Sequence, residues 1–219
     1  MNNCHRSRHV PLLALCGVTA PVLMLALWTL ASLMRPGYNQ LNQYGSELGT
    51  GPNAIIMNAN FFLTGLLIMA FAAGLFRNVH GGRWAGTGST LLAVFGASEA
   101  AGGFFPCDPG CPIAAQSFSQ LAHNVDAVIA FVALALAPLL VSMGLKHDSY
   151  WQRYQSYSLV TGLATIGLFS IFSTASLGYL GFVGLLQRLF LAVPFVWIEV
   201  MATKLLRASK YDAPHPRTL

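Results

Sequence analysis

The sequence is poor in charged residues: Asp, Glu, Lys and Arg make up only 9% of its 219 positions. A soluble globular domain carries about 25% charged residues, so a single core with a solvated surface is excluded. The chain also lacks a Gly-rich phosphate loop and a basic patch interleaved with aromatic residues, which are the features of nucleotide or nucleic-acid partners. What it has is an excess of hydrophobic residues, 55% of the chain, and this indicates a membrane protein.

Apolar stretches close to twenty residues long recur along the chain, and each can cross a bilayer core of about 30 Å. We predict an all-α fold, with residues 1–219 forming a single polytopic membrane domain. Its six transmembrane helices are predicted at residues 10–34, 54–76, 84–105, 119–144, 156–178 and 183–205. The first apolar run is longer than the core of a signal peptide, which has about 7–15 residues, so we predict that it is retained as a span.

The basic residues fall on alternate sides of the predicted spans. One side carries Arg6, Arg8, Arg77, Arg83, Lys146, Arg153, Lys204, Arg207, Lys210 and Arg217. The opposite side carries only Arg35, and residues 106–118 and 179–182 contain neither Lys nor Arg. Because basic residues concentrate on the cytoplasmic side, we predict a multi-pass protein of the inner (cytoplasmic) membrane with both termini in the cytoplasm.

The stretch GGFFPCDPGCP carries two cysteines at the predicted outer end of the third span. Disulfides persist in oxidising compartments, so we predict a bond between Cys107 and Cys111. The alternative is a metal-binding or redox pair, but a Cys-x3-Cys spacing without a second Cys or His pair is weak evidence for zinc. Cys4 and Cys16 are predicted to be reduced and structural.

Several polar residues fall inside predicted spans, where charged groups are costly and usually face a cavity or another polar group. They are Asn58, Asn60, Glu99, His123, Asp126, Gln187 and Arg188. With a rise of about 1.5 Å per residue, all of them lie in the outer half of the membrane. We therefore predict a polar cavity that opens to the extracytoplasmic side, covered by a first loop that carries Ser46 and Glu47.

A purely structural role stays open for several polar residues of the predicted spans. Glu99, Asp126 and Arg188 could form a buried ion-pair cluster that only fixes the packing of the helices. The hydroxyl groups in the outer half of the fifth span are predicted to bond to their own helix backbone rather than to line a site. They belong to Ser170, Ser173 and Thr174.

The residues also permit a catalytic hypothesis. Ser46 is the candidate nucleophile, His123 the candidate base, and Asp108 or Asp126 the orienting acid, since such triads are recognised by geometry and not by order along the chain. Arg188 suits a phosphate or carboxylate headgroup, because its planar guanidinium binds two oxygens at once. The candidate substrate-binding residues are Glu47, Asn58, Asn60, Glu99, Gln187 and Arg188.

No cofactor is predicted from these residues. A metal site built from His123, Asp126, Glu99 and Asp108 is a weaker alternative, because zinc sites usually recruit more His or Cys ligands. Haem is less favoured still, since the fourth span offers a single axial His. Membrane lipids are the predicted partners, and nucleic acid is not one. A protein partner or a homo-oligomer stays open.

Five short motifs resemble the domain of unknown function 998 family of prokaryotic membrane proteins. They are SELG (Ser46–Gly49), NANFFLTGLL (Asn58–Leu67), GGFFPCD (Gly102–Asp108), AHNVDAVIAF (Ala122–Phe131) and GLLQRLF (Gly184–Phe190). The resemblance implies a six-helix integral membrane fold, and the cysteine pair looks like a local addition to the family's pattern. It also implies that the family's recurring polar positions are Ser46, Asn58, Pro106, Asp108, His123 and Arg188.

A more distant similarity of layout links the chain to the Frag1/DRAM/Sfk1 group, some members of which are linked to the remodelling of lipid anchors. This is an analogy of arrangement only. Together these features predict a membrane protein whose outer cavity binds a lipid or another amphiphile and could hydrolyse or remodel it. The alternatives are a transporter without catalysis and a membrane scaffold or assembly protein.

Overall fold

The computed structural model describes residues 9–211, with side chains through residue 208, and it contains six α-helices. They are α1 (Val10–Leu33), α2 (Ala54–Asn78), α3 (Gly82–Gly102), α4 (Phe118–Leu145), α5 (Gln155–Ser176) and α6 (Val183–Tyr211). No β-strand occurs in residues 9–211, which confirms the all-α prediction. The predictions made for Cys4, Arg6, Arg8 and Arg217 fall outside the described residues. The side chain of Lys210 is likewise outside the described part of the chain.

Five of the six helices are long and apolar enough to cross a membrane: α1, α2, α4, α5 and α6. Helix α3 has 21 residues, and a rise of about 1.5 Å per residue gives it nearly the thickness of a bilayer core. Its composition sets it apart, because glycine, hydroxyl residues, Arg83 and Glu99 dilute its apolar residues. The structure therefore supports a multi-pass membrane protein, and the count of six spans stays a prediction.

The helices form a ring in which each helix packs against its neighbours in the chain and α1 closes the ring against α6. Large apolar side chains fill the interior. Phe71 and Trp197 are fully buried, and the rings of Phe95 and Phe195 meet edge to face with their centroids 5.9 Å apart. These side chains form an apolar core between the helices.

Small residues bring α3 close to both of its neighbours. A Cβ atom on Gly96 would lie 2.7 Å from the Gly65 carbonyl oxygen of α2, and one on Gly88 would lie 2.6 Å from the Val141 amide nitrogen of α4. Both separations are too short for a real side chain, so glycine is required for this approach, as is common in membrane helix pairs. The least apolar helix is thus enclosed by its neighbours, and Glu99 is carried into the interior.

Two connections meet at one end of the bundle. The first, loop 1 (residues 34–53), contains a short 3-10 helix at Gly45–Gly49 and hydrogen bonds to α6, with the Gly45 amide donating to Gln187 Oε1 at 2.7 Å. The second is the α3–α4 loop (residues 103–117). The Ser46 hydroxyl of loop 1 lies 3.4 Å from the Cys111 sulfur of the α3–α4 loop, so the two connections contact one another.

Candidate functional site

A cavity of about 420 Å³ lies beneath these two loops. Most of its lining is apolar and includes Trp28, Met57, Phe61, Phe131, Phe169 and Phe172. Its polar lining includes Ser46, Ser98, Glu99, His123, Asp126 and Gln187. Cavities of about 300–1,000 Å³ with apolar walls and a few polar groups are typical of small-molecule sites.

Half of the predicted site residues line this cavity: Ser46, Glu99, His123, Asp126 and Gln187. The cavity lining does not include Glu47, Asn58, Asn60, Asp108 or Arg188. The first group comes from loop 1, α3, α4 and α6. Of the seven polar residues predicted at a shared depth in the spans, four line this cavity, and Asn58, Asn60 and Arg188 do not.

Glu99 and Asp126 form an acidic pair at the polar part of the cavity. Glu99 is 9% exposed, and its Oε2 atom has no hydrogen-bond partner. The Asp126 carboxylate lies over the last turn of α3, where a Cβ on Gly102 would be 3.6 Å from Asp126 Oδ2. Gly102 follows Glu99 by three residues, so both lie on the same face of α3, and the Asp126 carboxylate of α4 lies beside that face.

His123 has a defined orientation. Its Nδ1 atom lies 3.1 Å from the Phe105 carbonyl oxygen, and a carbonyl can only accept a hydrogen bond. Nδ1 therefore carries the proton, and Nε2 of the neutral ring carries a free lone pair. The same contact holds the His123 imidazole against the start of the α3–α4 loop.

The structure does not join the members of the proposed triad by hydrogen bonds. Ser46 Oγ lies against the Cys111 sulfur at 3.4 Å, while His123 Nδ1 is paired with a backbone carbonyl. The carboxylate of Asp108 accepts from the Ser117 hydroxyl at 2.7 Å. Ser46, His123 and Asp126 line one cavity, whereas Asp108 is turned toward the start of α4.

Arg188 does not form the ion-pair cluster considered as an alternative, nor does it line the cavity. Its Nη1 donates to the carbonyl oxygens of Gln40 at 2.7 Å and Gly184 at 2.8 Å, and its Nη2 donates to the Tyr38 hydroxyl at 2.7 Å. The guanidinium also lies 4.9 Å from the Trp28 ring centroid. Arg188 therefore fastens loop 1 to α6, and most of its donors are occupied in doing so.

The other predicted residues outside the cavity also make structural contacts. The carboxylate of Glu47 accepts from Gln43 Nε2 at 2.8 Å and from the Tyr44 amide at 3.1 Å, which stabilises the short 3-10 helix. Asn58 donates to the Gly49 carbonyl at 3.1 Å. Asn60 is fully buried and donates to the Met24 carbonyl of α1 at 3.0 Å.

The hydroxyl groups of α5 bond to their own helix, as predicted. The acceptors are the carbonyls four residues earlier, for Ser170 at 3.0 Å, Ser173 at 2.8 Å and Thr174 at 2.9 Å. Ser173 lies at the cavity wall as well, but its hydrogen is already donated to the backbone.

Sequence reasoning missed Gln120, which is fully buried and organises the α3–α4 loop. Its Oε1 accepts from the Asp108 amide at 2.5 Å, and its Nε2 donates to the Pro112 carbonyl at 2.8 Å. A signal was present: Ser117 and Gln120 have the spacing of a capping box at a helix N-terminus. The Ser117 hydroxyl does accept from the Gln120 amide at 3.0 Å, but the Gln120 side chain turns toward the loop instead of back to the cap.

The predicted cysteine pair is confirmed. The sulfurs of Cys107 and Cys111 lie at disulfide distance, with their Cα atoms 5.0 Å apart. Cys16 is a free cysteine, as predicted. One group of potential metal ligands lies close together among residues 9–208, namely Cys107, Cys111 and His123 within 4.8 Å. It differs from the predicted alternative of His123, Asp126, Glu99 and Asp108, and its two sulfurs are not free thiolates while they are bonded to each other.

These observations define the class of the protein as an all-helical, multi-pass integral membrane protein. The family model described as "Protein of unknown function (DUF998)" matches residues 18–204. The chain therefore belongs to the DUF998 family, and the resemblance carried by the five motifs is confirmed. No curated protein and no solved structure matches the chain.

Proposed function

We propose that the protein spans the cytoplasmic membrane six times and binds a lipid or another amphiphile in a cavity on the extracytoplasmic side. Loop 1 and the α3–α4 loop contact one another through Ser46 and Cys111. The start of α2, which follows loop 1, and the end of α3, which precedes the α3–α4 loop, therefore lie at the same end of the bundle. This arrangement supports a full crossing by α3 as well as by α2.

The distribution of basic residues supports cytoplasmic termini. The connections at the opposite end also meet, because the His80 amide donates to Asp148 Oδ2 at 2.8 Å. Arg77 and Arg83 flank the first of these connections, and Lys146 lies in the second. Basic residues concentrate in short cytoplasmic loops. This end of the bundle is therefore the cytoplasmic one, and the cavity lies toward the extracytoplasmic end.

The cavity's division into an apolar wall and a small polar part carries the proposal. Phe131, Phe169 and Phe172 form part of the apolar wall, and Phe131 meets the other two rings edge to face at 6.2 and 5.7 Å. Glu99 and Asp126 supply the polar part. A molecule with an apolar chain and a polar headgroup matches both surfaces, whereas a small polar solute would leave the aromatic wall in contact with water.

Binding is favoured over the two alternatives. A scaffold with a closed polar cluster predicts that every buried charge is paired, but Glu99 Oε2 has no partner. A transport path predicts polar groups continuing beyond Glu99, but the next residues inward on the same face of α3 are the fully buried Phe95 and Leu92.

Native mass spectrometry of the protein released from membrane patches tests the proposal. We expect the wild-type chain to retain an amphiphile, and Ala127→Trp to lose it, because Ala127 lines the cavity. The matched control is Ala164→Trp, which adds the same ring at an exposed position of α5 outside the cavity lining. Equal retention by all three proteins, or retention by none of them, contradicts the proposal.

Hydrolysis or remodelling of the bound molecule is a second proposal, supported by the presence of Ser46 and His123 in the same cavity lining. If it holds, Ser46→Ala and His123→Ala abolish turnover while the amphiphile is still retained. Retention without turnover in the wild-type chain, measured on the molecule identified by mass spectrometry, restricts the function to binding.

A further inference from the structure

We infer that the cavity selects an amphiphile with a cationic headgroup, an organic ammonium on an apolar chain. This inference rests on the proposed function, because it names the class of molecule that the same cavity takes. It departs from the sequence-based expectation of a phosphate or carboxylate headgroup held by Arg188.

The first argument is the sign of the charges around the cavity. The titratable side chains that line it are Tyr44, Glu99, His123 and Asp126, and no Lys or Arg of the described residues is among its lining. Arg188 is directed to the backbone of loop 1 and to Tyr38. An anionic headgroup in this cavity would meet two carboxyl groups and no permanent positive charge.

The second argument is the unsatisfied oxygen of Glu99. This side chain lines the cavity and is 9% exposed, yet its Oε2 has no hydrogen-bond partner. A buried polar atom without a partner is costly, and a charged one inside a membrane is more costly still. An ammonium group beside Oε2 would supply the missing counter-charge, and a headgroup with an N–H would also donate the missing hydrogen bond.

The acidic pair strengthens this preference. Asp126 lies over the same turn of α3 as Glu99, and two neighbouring carboxyl groups repel each other when both are ionised. A cation located between them removes that repulsion. A bound cation would therefore supply both the missing partner of Glu99 and the counter-charge for the acidic pair.

The aromatic wall gives a third, independent argument. Trp28, Phe131 and Phe172 line the cavity, and the faces of aromatic rings attract cations, with quaternary ammonium groups as a well-known case. The same rings provide an apolar surface for the attached chain. Neither property favours an anion over a cation.

Binding to the full-length protein in neutral maltoside detergent tests the inference. Radiolabelled dodecyltrimethylammonium is the probe, measured by scintillation proximity, with unlabelled dodecanol and dodecanoate as competitors that differ only in the headgroup. We expect dodecanol to compete about tenfold more weakly than the unlabelled cation and dodecanoate more weakly still, since a factor of ten corresponds to about 1.4 kcal/mol of binding free energy.

Three variants assign the effect to the acidic pair: Glu99→Gln, Asp126→Asn and the double substitution. We expect each single substitution to weaken cation binding about tenfold, and the double variant to bind the cation no better than dodecanol. Glu199→Gln is the matched control, because Glu199 is also an intramembrane acid with an unpartnered Oε2 but lines a different surface. We expect it to bind the cation like the wild-type chain.

The outcomes separate the inference from the proposed function. If the wild-type chain binds the cation, dodecanol and dodecanoate equally, and Ala127→Trp abolishes this binding, the inference is overturned and amphiphile binding stands. If the wild-type chain binds none of the three, both are overturned. Where Glu99→Gln fails to fold, Asp126→Asn and the headgroup series on the wild-type chain decide the matter.

Discussion

Replacing Arg188 by Ala should detach loop 1 from α6 and destabilise the protein. The guanidinium makes three short contacts, to the Gln40 and Gly184 carbonyls and to the Tyr38 hydroxyl. A hydrogen bond to a charged group is worth about 1.5–3 kcal/mol. The contact to Gln40 is solvent-exposed, and the Gly184 carbonyl belongs to the α6 backbone, so we expect a net loss of about 3 kcal/mol.

Two further variants calibrate this value. Arg188→Lys keeps the charge but loses the planar fork, so we expect it to cost about half as much. Arg83→Ala is the control, because Arg83 only lies over the neighbouring Trp84 ring at 5.1 Å, a contact worth about 0.5–1 kcal/mol when exposed.

Unfolding by SDS in mixed micelles gives the free energies, and limited proteolysis within residues 34–53 reports release of loop 1. We expect cleavage of loop 1 to increase in Arg188→Ala and to stay unchanged in Arg83→Ala. If Arg188→Ala unfolds like Arg83→Ala, with loop 1 still protected, Arg188 does not fasten the loop and the reasoning is refuted.

Two other predictions follow from the structure. Gly96→Ala should destabilise the protein by about 1–3 kcal/mol, because its Cβ would lie 2.7 Å from the Gly65 carbonyl oxygen. The control is Gly167→Ala in α5, whose Cβ would meet no atom within 4 Å and which should be neutral. Equal unfolding free energies for the two variants would contradict this packing. Burial raises the pKa of the Tyr38 phenol above its usual value of 10.0, although Arg188 acts in the opposite direction. The folded state therefore favours the neutral phenol, and its contribution to stability is complete below pH 10 and lost as the pH rises through the folded-state pKa. In Tyr38→Phe the unfolding free energy should fall less steeply above about pH 10 than in the wild-type chain, and parallel curves would show that Tyr38 is not the titrating group.

Apolar runs predicted the helices well because a lipid bilayer leaves the backbone few alternatives to a helix. They predicted helix ends less well, since hydrophobicity marks the edge of the membrane and not the end of the helix. Helix α6 continues past residue 205 to Tyr211, because Lys204 and Arg207 are good helix formers that can extend into water. Helix α3 ends at Gly102, earlier than predicted, ahead of the glycine and proline that follow.

Depth within the spans predicted that Glu99, His123 and Asp126 lie close together, and all three line one cavity. It was not enough for Gln187 and Arg188, which are consecutive and so point about 100° apart around their helix. Gln187 faces the cavity and Arg188 does not, and only the packing of α6 against α1 and loop 1 decides which of the two turns inward.

Asp108 illustrates a second limit. The sequence offers Asp108 as a candidate orienting acid of the triad, but the direction of this residue is set by Ser117 and Gln120 at the start of α4. A loop residue takes its orientation from contacts across the fold, and these cannot be read from the hydrophobic pattern.

An electron-density map of the protein extracted in membrane patches, without prior exposure to detergent, tests the central claim most directly. Our account predicts continuous density for an apolar chain along Phe131 and Phe172, ending in a headgroup beside Glu99 and Asp126. A map in which this cavity is closed by side chains, with bound lipid confined to the outer surface of the bundle, would contradict it.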